Sequence, residues 1–182
     1  LKKAGYHTFH AGKWHLNSRT DGSEPTPGDA GFDHWLYTQN NAAPSHLNPR
    51  NFIRNGQPAG PLNGPSSHIV VAEATRWLDA TQRAADAPFF LNLWFHETHE
   101  PVAATEEFLA QYPNEKNLER RHYLANASQM DAAVGKLIRY LDDHGLRENT
   151  FIFFSSDNGP ETLNRYRGAQ RSHGSPGPLR GM

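Results

Sequence analysis

Phe151-Ile152-Phe153-Phe154-Ser155-Ser156-Asp157-Asn158-Gly159-Pro160 is the stretch on which the fold turns. Its first four residues are large, apolar, and either aromatic or β-branched, which predicts a strand buried on both faces of a sheet. The run then stops at Ser-Asp-Asn-Gly-Pro. An open α/β sheet presents its ligand-binding groups at the carboxyl ends of its strands, and here a carboxylate and an amide stand just before a Gly-Pro turn. Asp157 and Asn158 both offer hard oxygen donors suited to Ca²⁺ or Mg²⁺, so the pair reads as half of a metal site. The plainer reading is a strand end closed by an Asx-turn, and these residues alone favour it.

Two upstream segments repeat the pattern. Phe89 to Phe95 (FFLNLWF) is a second apolar run, and it too ends in polar residues, His96-Glu97-Thr98-His99-Glu100-Pro101. Two buried strands that both end in candidate chemistry predict a parallel sheet with one active edge. His99 is the sharper candidate, although a loop histidine by itself is more often without a chemical role. Near the start, Leu1 to Ala4 followed by Gly5 fits a helix end, and Tyr6 to Ala11 fits a short strand leading into Gly12-Lys13-Trp14-His15-Leu16. Lys13 and His15 stand two apart, which on an extended segment points both side chains to one side. A cation beside an imidazole suits anion binding and proton transfer. A surface lysine and a packed histidine flanking a core tryptophan would look the same.

Between these strands lie loops and helices. Asn17 to Gly31 and Asn40 to Pro65 are rich in Gly, Pro, Ser, Thr and Asn, and read as long loops. Between the two loops Phe32 to Tyr37 fits a short strand, and inside the second Asn51 to Gly56 (NFIRNG) carries a hairpin signal with an Asn-Gly turn. Ser66 or Ser67 is positioned to cap a helix reaching about Ala85, with Ile69, Ala72, Thr75 or Arg76, and Leu78 as its apolar stripe. A short helix from Thr105 or Glu106 to Tyr112 and a long one from Leu118 to His144 follow, the latter with Leu124, Met130 or Asp131, Val134, Leu137, Ile138 and Leu141 at helical spacing. The alternation of strand and helix predicts an α/β fold: a mostly parallel central sheet with helices on both faces. Glu161 to Met182 reads as a loop whose Arg165, Arg167, Arg171 and Arg180 are mostly solvated.

Bulk properties bound the rest. The 182 residues suit one domain with a sizeable core and require no second. A formal net charge of −1 gives no reason to expect nucleic acid or an anionic membrane as partner, and no apolar run approaches the length of a span. Eleven histidines make titratable or metal chemistry worth seeking, while the absence of cysteine excludes disulfides, zinc thiolates and a cysteine nucleophile within this stretch. Neither end reads as a natural terminus, so the expectation is an internal piece of a longer protein.

Four separated stretches together resemble the type I sulfatases of the alkaline phosphatase superfamily. Gly5-Tyr6-His7-Thr8 through Gly12-Lys13-Trp14-His15-Leu16 is similar to the signature G-Y-x-T-x-x-x-G-K-W-H-L. Pro88-Phe89-Phe90-Leu91 through Thr98-His99-Glu100-Pro101 resembles the strand and histidine loop. Met130-Asp131 with Val134-Gly135 resembles the helix before the metal strand, and Ser156 to Pro160 the metal segment itself. Ser175 to Gly181 is similar to the approach to a late active-site lysine. The resemblance covers essentially the whole chain and implies the central part of a sulfatase catalytic domain. It implies Asp157 and Asn158 as ligands of one divalent ion, usually Ca²⁺. Lys13 would contact the sulfate oxygens and the nucleophile's hydroxyls, and His15 would hydrogen-bond the nucleophile and act as base when enzyme-bound sulfate is released. His99 would bind the ester oxygen and serve as acid for the leaving alcohol, with His96 structural or supporting. The implied substrate is a sulfated carbohydrate or another sulfate ester, an aryl sulfate being the generic assay substrate, and the implied setting is periplasmic, secreted or lysosome-like.

The departures are specific. The family's nucleophile, a formylglycine made from Cys or Ser in C/S-x-P-x-R, has no counterpart here, since Ser175-Pro176-Gly177-Pro178 has the wrong spacing. The Asp pair that completes the metal site is also missing, and Asn17 stands where glycine is usual. The segment alone is therefore expected to be inactive, the activity belonging to its parent. A phosphoesterase or phosphonate hydrolase of the same superfamily is the nearest alternative, and a catalytically dead, glycan-binding sulfatase-like domain is another.

Overall fold

The computed structural model describes residues 1–81, 87–160 and 171–179. The chain divides into two compact units, Leu1–His96 and Glu97–Met182.

The first unit is built on a five-stranded mixed sheet: β1 (His7–Lys13), β2 (His34–Thr38), β3 (Ile53–Arg54), β4 (Gln57–Pro58) and β5 (Phe89–Trp94). The spatial order is β4-β3-β2-β1-β5. β1 lies between β2 and β5 and is parallel to both, with Lys13 opposite Thr38 and Gly12 opposite Trp94, so the carboxyl ends of β1, β2 and β5 lie together. Helix α1 (Ser66–Ala80) packs on β1, β2 and β5. Phe9, Leu36 and Val70 are wholly buried at this contact, each worth about 1.5–3 kcal/mol of removed apolar surface. The predicted hairpin is present as β3 and β4. Asn55 and Gly56 both adopt positive φ, 48° and 84°, as a two-residue type I′ turn requires.

Three details differ from the sequence reading. Pro65, not a serine, occupies the N-cap position of α1 and makes no side-chain cap; Ser66 and Ser67 lie buried in the first turn. The helix ends at Ala80, and residues 82–86 of the anticipated span lie outside those described. Its buried face is Val70, Val71, Glu73, Ala74, Trp77 and Leu78, so the anticipated stripe is rotated: Trp77, packed on Phe9 with ring centroids 5.1 Å apart, decides which side turns inward.

The second unit carries α2 (Glu106–Leu109) and α3 (Leu118–Asp143). Asn117 caps α3 by accepting the Arg120 N–H at 3.0 Å. Ala104, Phe108, Leu109 and Ala125 form the small core. The face of α3 turned inward is more polar than the apolar repeat suggests. Asn126 and Gln129 are wholly buried because they hold a non-helical segment: Asn126 Nδ2 donates to the Ala103 carbonyl at 2.6 Å and Gln129 Oε1 accepts the Thr105 N–H at 3.1 Å. Of the anticipated stripe, Leu141 is buried and Leu124, Val134, Leu137 and Ile138 are half-buried.

The largest correction concerns Phe151 to Phe154. This stretch forms no strand among the described residues, and its side chains are 90%, 39%, 80% and 65% exposed. Local composition sets strand propensity, but a strand is stable only when a neighbouring ladder takes its N–H and C=O groups. No described segment pairs with it.

Candidate active site

In the first unit the candidate residues Lys13 and His15 stand at the exit of β1. Beyond Lys13 the ladder runs on for two residues, with the Trp14 N–H donating to the Thr38 carbonyl at 2.9 Å and the His15 N–H to the Gln39 carbonyl at 2.8 Å. Lys13 is half-buried, Trp14 is buried and His15 is exposed. Trp14 is the anchor between the two polar side chains. Its ring stacks on Trp94 at 5.7 Å and meets His10 edge-on at 5.0 Å, while its indole N–H reaches the Pro25 carbonyl at 3.4 Å. The same-side argument for Lys13 and His15 does not carry through, because His15 has φ 50°, in the left-handed region rather than the extended one. Such backbone persists in a non-glycine residue only when its surroundings over-determine it, and it concentrates at functional positions.

Two neighbouring signature residues have structural duties that composition did not reveal. Thr8 takes the Asp33 carboxylate on its N–H at 2.8 Å and on its hydroxyl at 3.0 Å, fastening the start of β1 to that of β2. Partial burial pushes the Asp33 carboxyl up, but hydrogen bonds from Lys2 and Thr8 outweigh it and hold it below the usual range. Gly12, at φ 110°, lets β5 approach: a Cβ there would sit 1.8 Å from the Trp94 carbonyl oxygen.

Two other histidines of this unit, His10 and His96, are packed in its interior. His10 is wholly buried among Trp14, Phe32 and Trp94, and burial lowers its pKa to about 3, so it is a neutral packing element. His96 is buried against Phe52, with its Nε2 2.7 Å from the Thr38 hydroxyl. That hydroxyl lies 2.5 Å from the Asn40 carbonyl, which can only accept; its single proton goes there, and His96 Nε2–H is the donor to Thr38.

The remaining candidate residues belong to the second unit. His99 is exposed, and its Nδ1–H donates to the Glu100 carbonyl at 2.5 Å, which fixes Nδ1 as a protonated nitrogen of the ring. Glu100, only 3% exposed, accepts the Ser172 N–H at 2.8 Å and so ties the histidine loop to a segment C-terminal to Asp157 and Asn158. Arg171, read as solvated, stands 3.8 Å from Glu119, and His173 lies 3.1 Å from the same carboxylate. Arg165, Arg167 and Arg180 lie outside the described residues.

Asp157 and Asn158 are exposed and lie in a bend whose side-chain bonds join adjacent residues, so neither the strand end nor the i to i+2 bond of an Asx-turn is formed among the described residues. Asp157 Oδ1 accepts the Asn158 N–H at 2.9 Å, and Asn158 Nδ2 donates to the Gly159 carbonyl at 2.7 Å. These bonds use one carboxylate oxygen and the amide N–H. The second carboxylate oxygen and the amide oxygen take no hydrogen bond among the described residues, and both are of the hard type a Ca²⁺ or Mg²⁺ ion accepts. Two residues are not a full shell: among the described residues no group of three His, Cys, Asp or Glu side chains could hold a metal. The donor set therefore fits a metal in kind and supplies part of it.

Residues 1–180 match the family model described as Sulfatase. The chain is 32% identical to rat N-acetylgalactosamine-6-sulfatase, over 98% of this chain and 34% of that protein. It is 30% identical to human arylsulfatase A over 92% of this chain and 36% of that one. In structure it is similar to Ps i-CgsB in complex with k-i-k-neocarrahexaose, with a TM-score of 0.80 and 24% identity, across 96% of this chain and 41% of that one, a likeness of fold. The chain thus spans about a third of the length of the curated relatives it matches. Among the described residues no helix is long and apolar enough to cross a membrane.

Proposed function

Because this chain belongs to the sulfatase family, we propose that the protein carrying it is a sulfuric ester hydrolase, releasing sulfate from a sulfated sugar or an aryl sulfate. The observation that supports this most directly is the exit of β1, where a half-buried lysine and an exposed, left-handed histidine flank a buried tryptophan at the carboxyl end of a parallel sheet.

Each residue then has a task. Lys13 carries the positive charge that a sulfate ester requires, and stabilisation grows as negative charge builds on the sulfuryl oxygens. His15 is the base that frees sulfate from the enzyme-bound intermediate. His99 is the acid for the leaving alcohol. Since its Nδ1–H is committed to the Glu100 carbonyl, the donated proton comes from Nε2, so His99 must start as imidazolium and end as the neutral Nδ1–H tautomer. Asp157 and Asn158 would hold a divalent ion, Ca²⁺ by family resemblance with Mg²⁺ the alternative, and that ion would neutralise sulfate charge as a Lewis acid. The formylglycine nucleophile implied by the family belongs to sequence outside this chain. A periplasmic, secreted or lysosome-like setting accords with sulfated carbohydrate as substrate.

The test is sulfate release by the full-length protein from 4-nitrophenyl sulfate and from 6-sulfated N-acetylhexosamines, with the matching phosphate esters in parallel. Sulfate release that Lys13→Ala abolishes supports the reading. Phosphate release without sulfate release would assign a phosphoesterase, and binding of sulfated glycan with no turnover a dead domain.

A further inference from the structure

Past the end of β2 the first unit carries a groove of about 320 Å³ that the reaction above does not use. This is at the small end of ligand sites, which run about 300–1,000 Å³. Phe52, Ile53 and Pro58 give it an apolar floor; Thr20, Gln39, Asn40 and Arg50 supply its polar rim. We propose that this groove is a saccharide subsite in which Arg50 binds a second anionic group, a carboxylate or a further sulfate, carried by the sugar next to the one that is desulfated. The inference rests on the sulfate-ester reading and adds the class of substrate: an anionic oligosaccharide rather than a simple ester.

Four observations support it. The rim is rich in side-chain amides, which offer both donors and acceptors and so match vicinal hydroxyls, while the apolar floor matches the C–H face of a pyranose ring. Arg50 is exposed, and among the described residues its guanidinium forms no ion pair, although Arg54 and Arg76 of the same unit both meet Glu73. A guanidinium binds carboxylate or sulfate through two parallel hydrogen bonds. The wall is also built before any ligand arrives: the Arg50 N–H donates to the Ala43 carbonyl at 2.8 Å, Asn51 Oδ1 accepts the Ala43 N–H at 2.8 Å, and Asn51 Nδ2 donates to the Asn41 carbonyl at 2.9 Å. Finally, the groove adjoins the catalytic exit. Gln39 on its rim accepts the His15 N–H through its carbonyl and donates its amide to the Asn17 carbonyl at 2.5 Å. Thr38, the residue before it, is the register partner of Lys13, so the rim begins one strand spacing, about 4.8 Å, from the β1 exit.

The experiment compares the full-length protein with Arg50→Ala, Arg50→Lys and Asn40→Ala on three substrates: 4-nitrophenyl sulfate, a 6-sulfated N-acetylhexosamine linked to a uronate, and the same sugar linked to a second sulfated sugar. Loss of one charge-assisted contact is expected to lower the ratio of kcat/KM on the anionic disaccharides to that on the aryl ester about tenfold in Arg50→Ala, through KM, with partial recovery in Arg50→Lys. Which disaccharide is affected more identifies the anion as carboxylate or sulfate. A ratio within about twofold of wild type on both disaccharides overturns the subsite. If wild-type protein releases no sulfate from any ester, the underlying function fails. Calorimetric titration of the same disaccharides then decides the groove alone, tighter binding by wild type than by Arg50→Ala supporting it and equal binding refuting it.

Discussion

Gly12 lies so close to β5 that a Cβ on it would stand 1.8 Å from the carbonyl oxygen of Trp94 and 2.7 Å from the carbonyl carbon. Backbone atoms of a central ladder cannot step aside as a flexible side chain could, and φ 110° adds strain for any side chain. Gly12→Ala should therefore cost about 2–4 kcal/mol, as overpacking combined with backbone strain does. Denaturant unfolding of the full-length protein should show a lower midpoint with an unchanged m-value. The same substitution also displaces Lys13, so activity should fall further than stability alone explains.

His15 tests the opposite trade. Its left-handed backbone is a cost that the imidazole's role justifies. His15→Gly should leave the protein as stable as wild type, or more stable by up to about 1 kcal/mol, while turnover drops by about 10²-fold or more. Melting temperature and single-turnover kinetics measured together check this, and a variant that loses stability as well would show that the ring is held for packing.

Glu73 sets a pH dependence. Though only 2% exposed, it meets His34 at 2.9 Å, Arg54 at 2.7 Å and Arg76, joining α1 to β2 and β3. Burial pushes its carboxyl up, but hydrogen bonds from His34 and Arg54 prevail and lower it from 4.5 to about 2. Its folded pKa lies below the unfolded one, so its stabilisation is full above about pH 5 and is lost as pH falls from 4.5 towards 2. Glu73→Gln should cost about 3 kcal/mol near neutrality and flatten the stability profile across that acid window. Unfolding free energies between pH 2 and 7 are the check.

His99 and Asp157 should fail differently. Removing the proposed acid matters most when the leaving alcohol is poor, so His99→Ala should lose about 10²–10⁴-fold on a sugar sulfate and much less on 4-nitrophenyl sulfate. Asp157→Ala should lose most activity on both, with partial recovery in excess Ca²⁺. Equal losses on the two substrates in the histidine variant would remove it from the acid role.

Much of this was legible in the residues, and where it was not the reason is physical. β1, β5, the Asn55-Gly56 hairpin and the extent of α3 follow from local signals that nearest neighbours in sequence decide, whereas α2 stops at Leu109, short of the anticipated Tyr112. The inward face of α1 does not, because it depends on Trp77 finding Phe9, a contact with no trace in helical spacing. Thr8, Gly12 and Glu73 were invisible as structural residues because their partners Asp33, Trp94 and Arg54 lie far off in sequence. Lys13 and His15 were singled out by their chemistry, and the alternation used to aim them assumed extended backbone that His15 does not have. The run at Phe151 shows that strand propensity and strand formation are separate: one belongs to the segment and the other to its neighbours.

That run has a practical consequence for anyone producing the polypeptide. From Asn149 to Ser156 there is no charge and no proline, and the four central side chains face solvent. A short, neutral, strand-prone window left open is the composition from which cross-β association starts. The colloidal behaviour of this stretch of chain will therefore be governed by those residues rather than by its net charge. Replacing Phe153 with lysine, as a gatekeeper, should raise the concentration at which light scattering first appears.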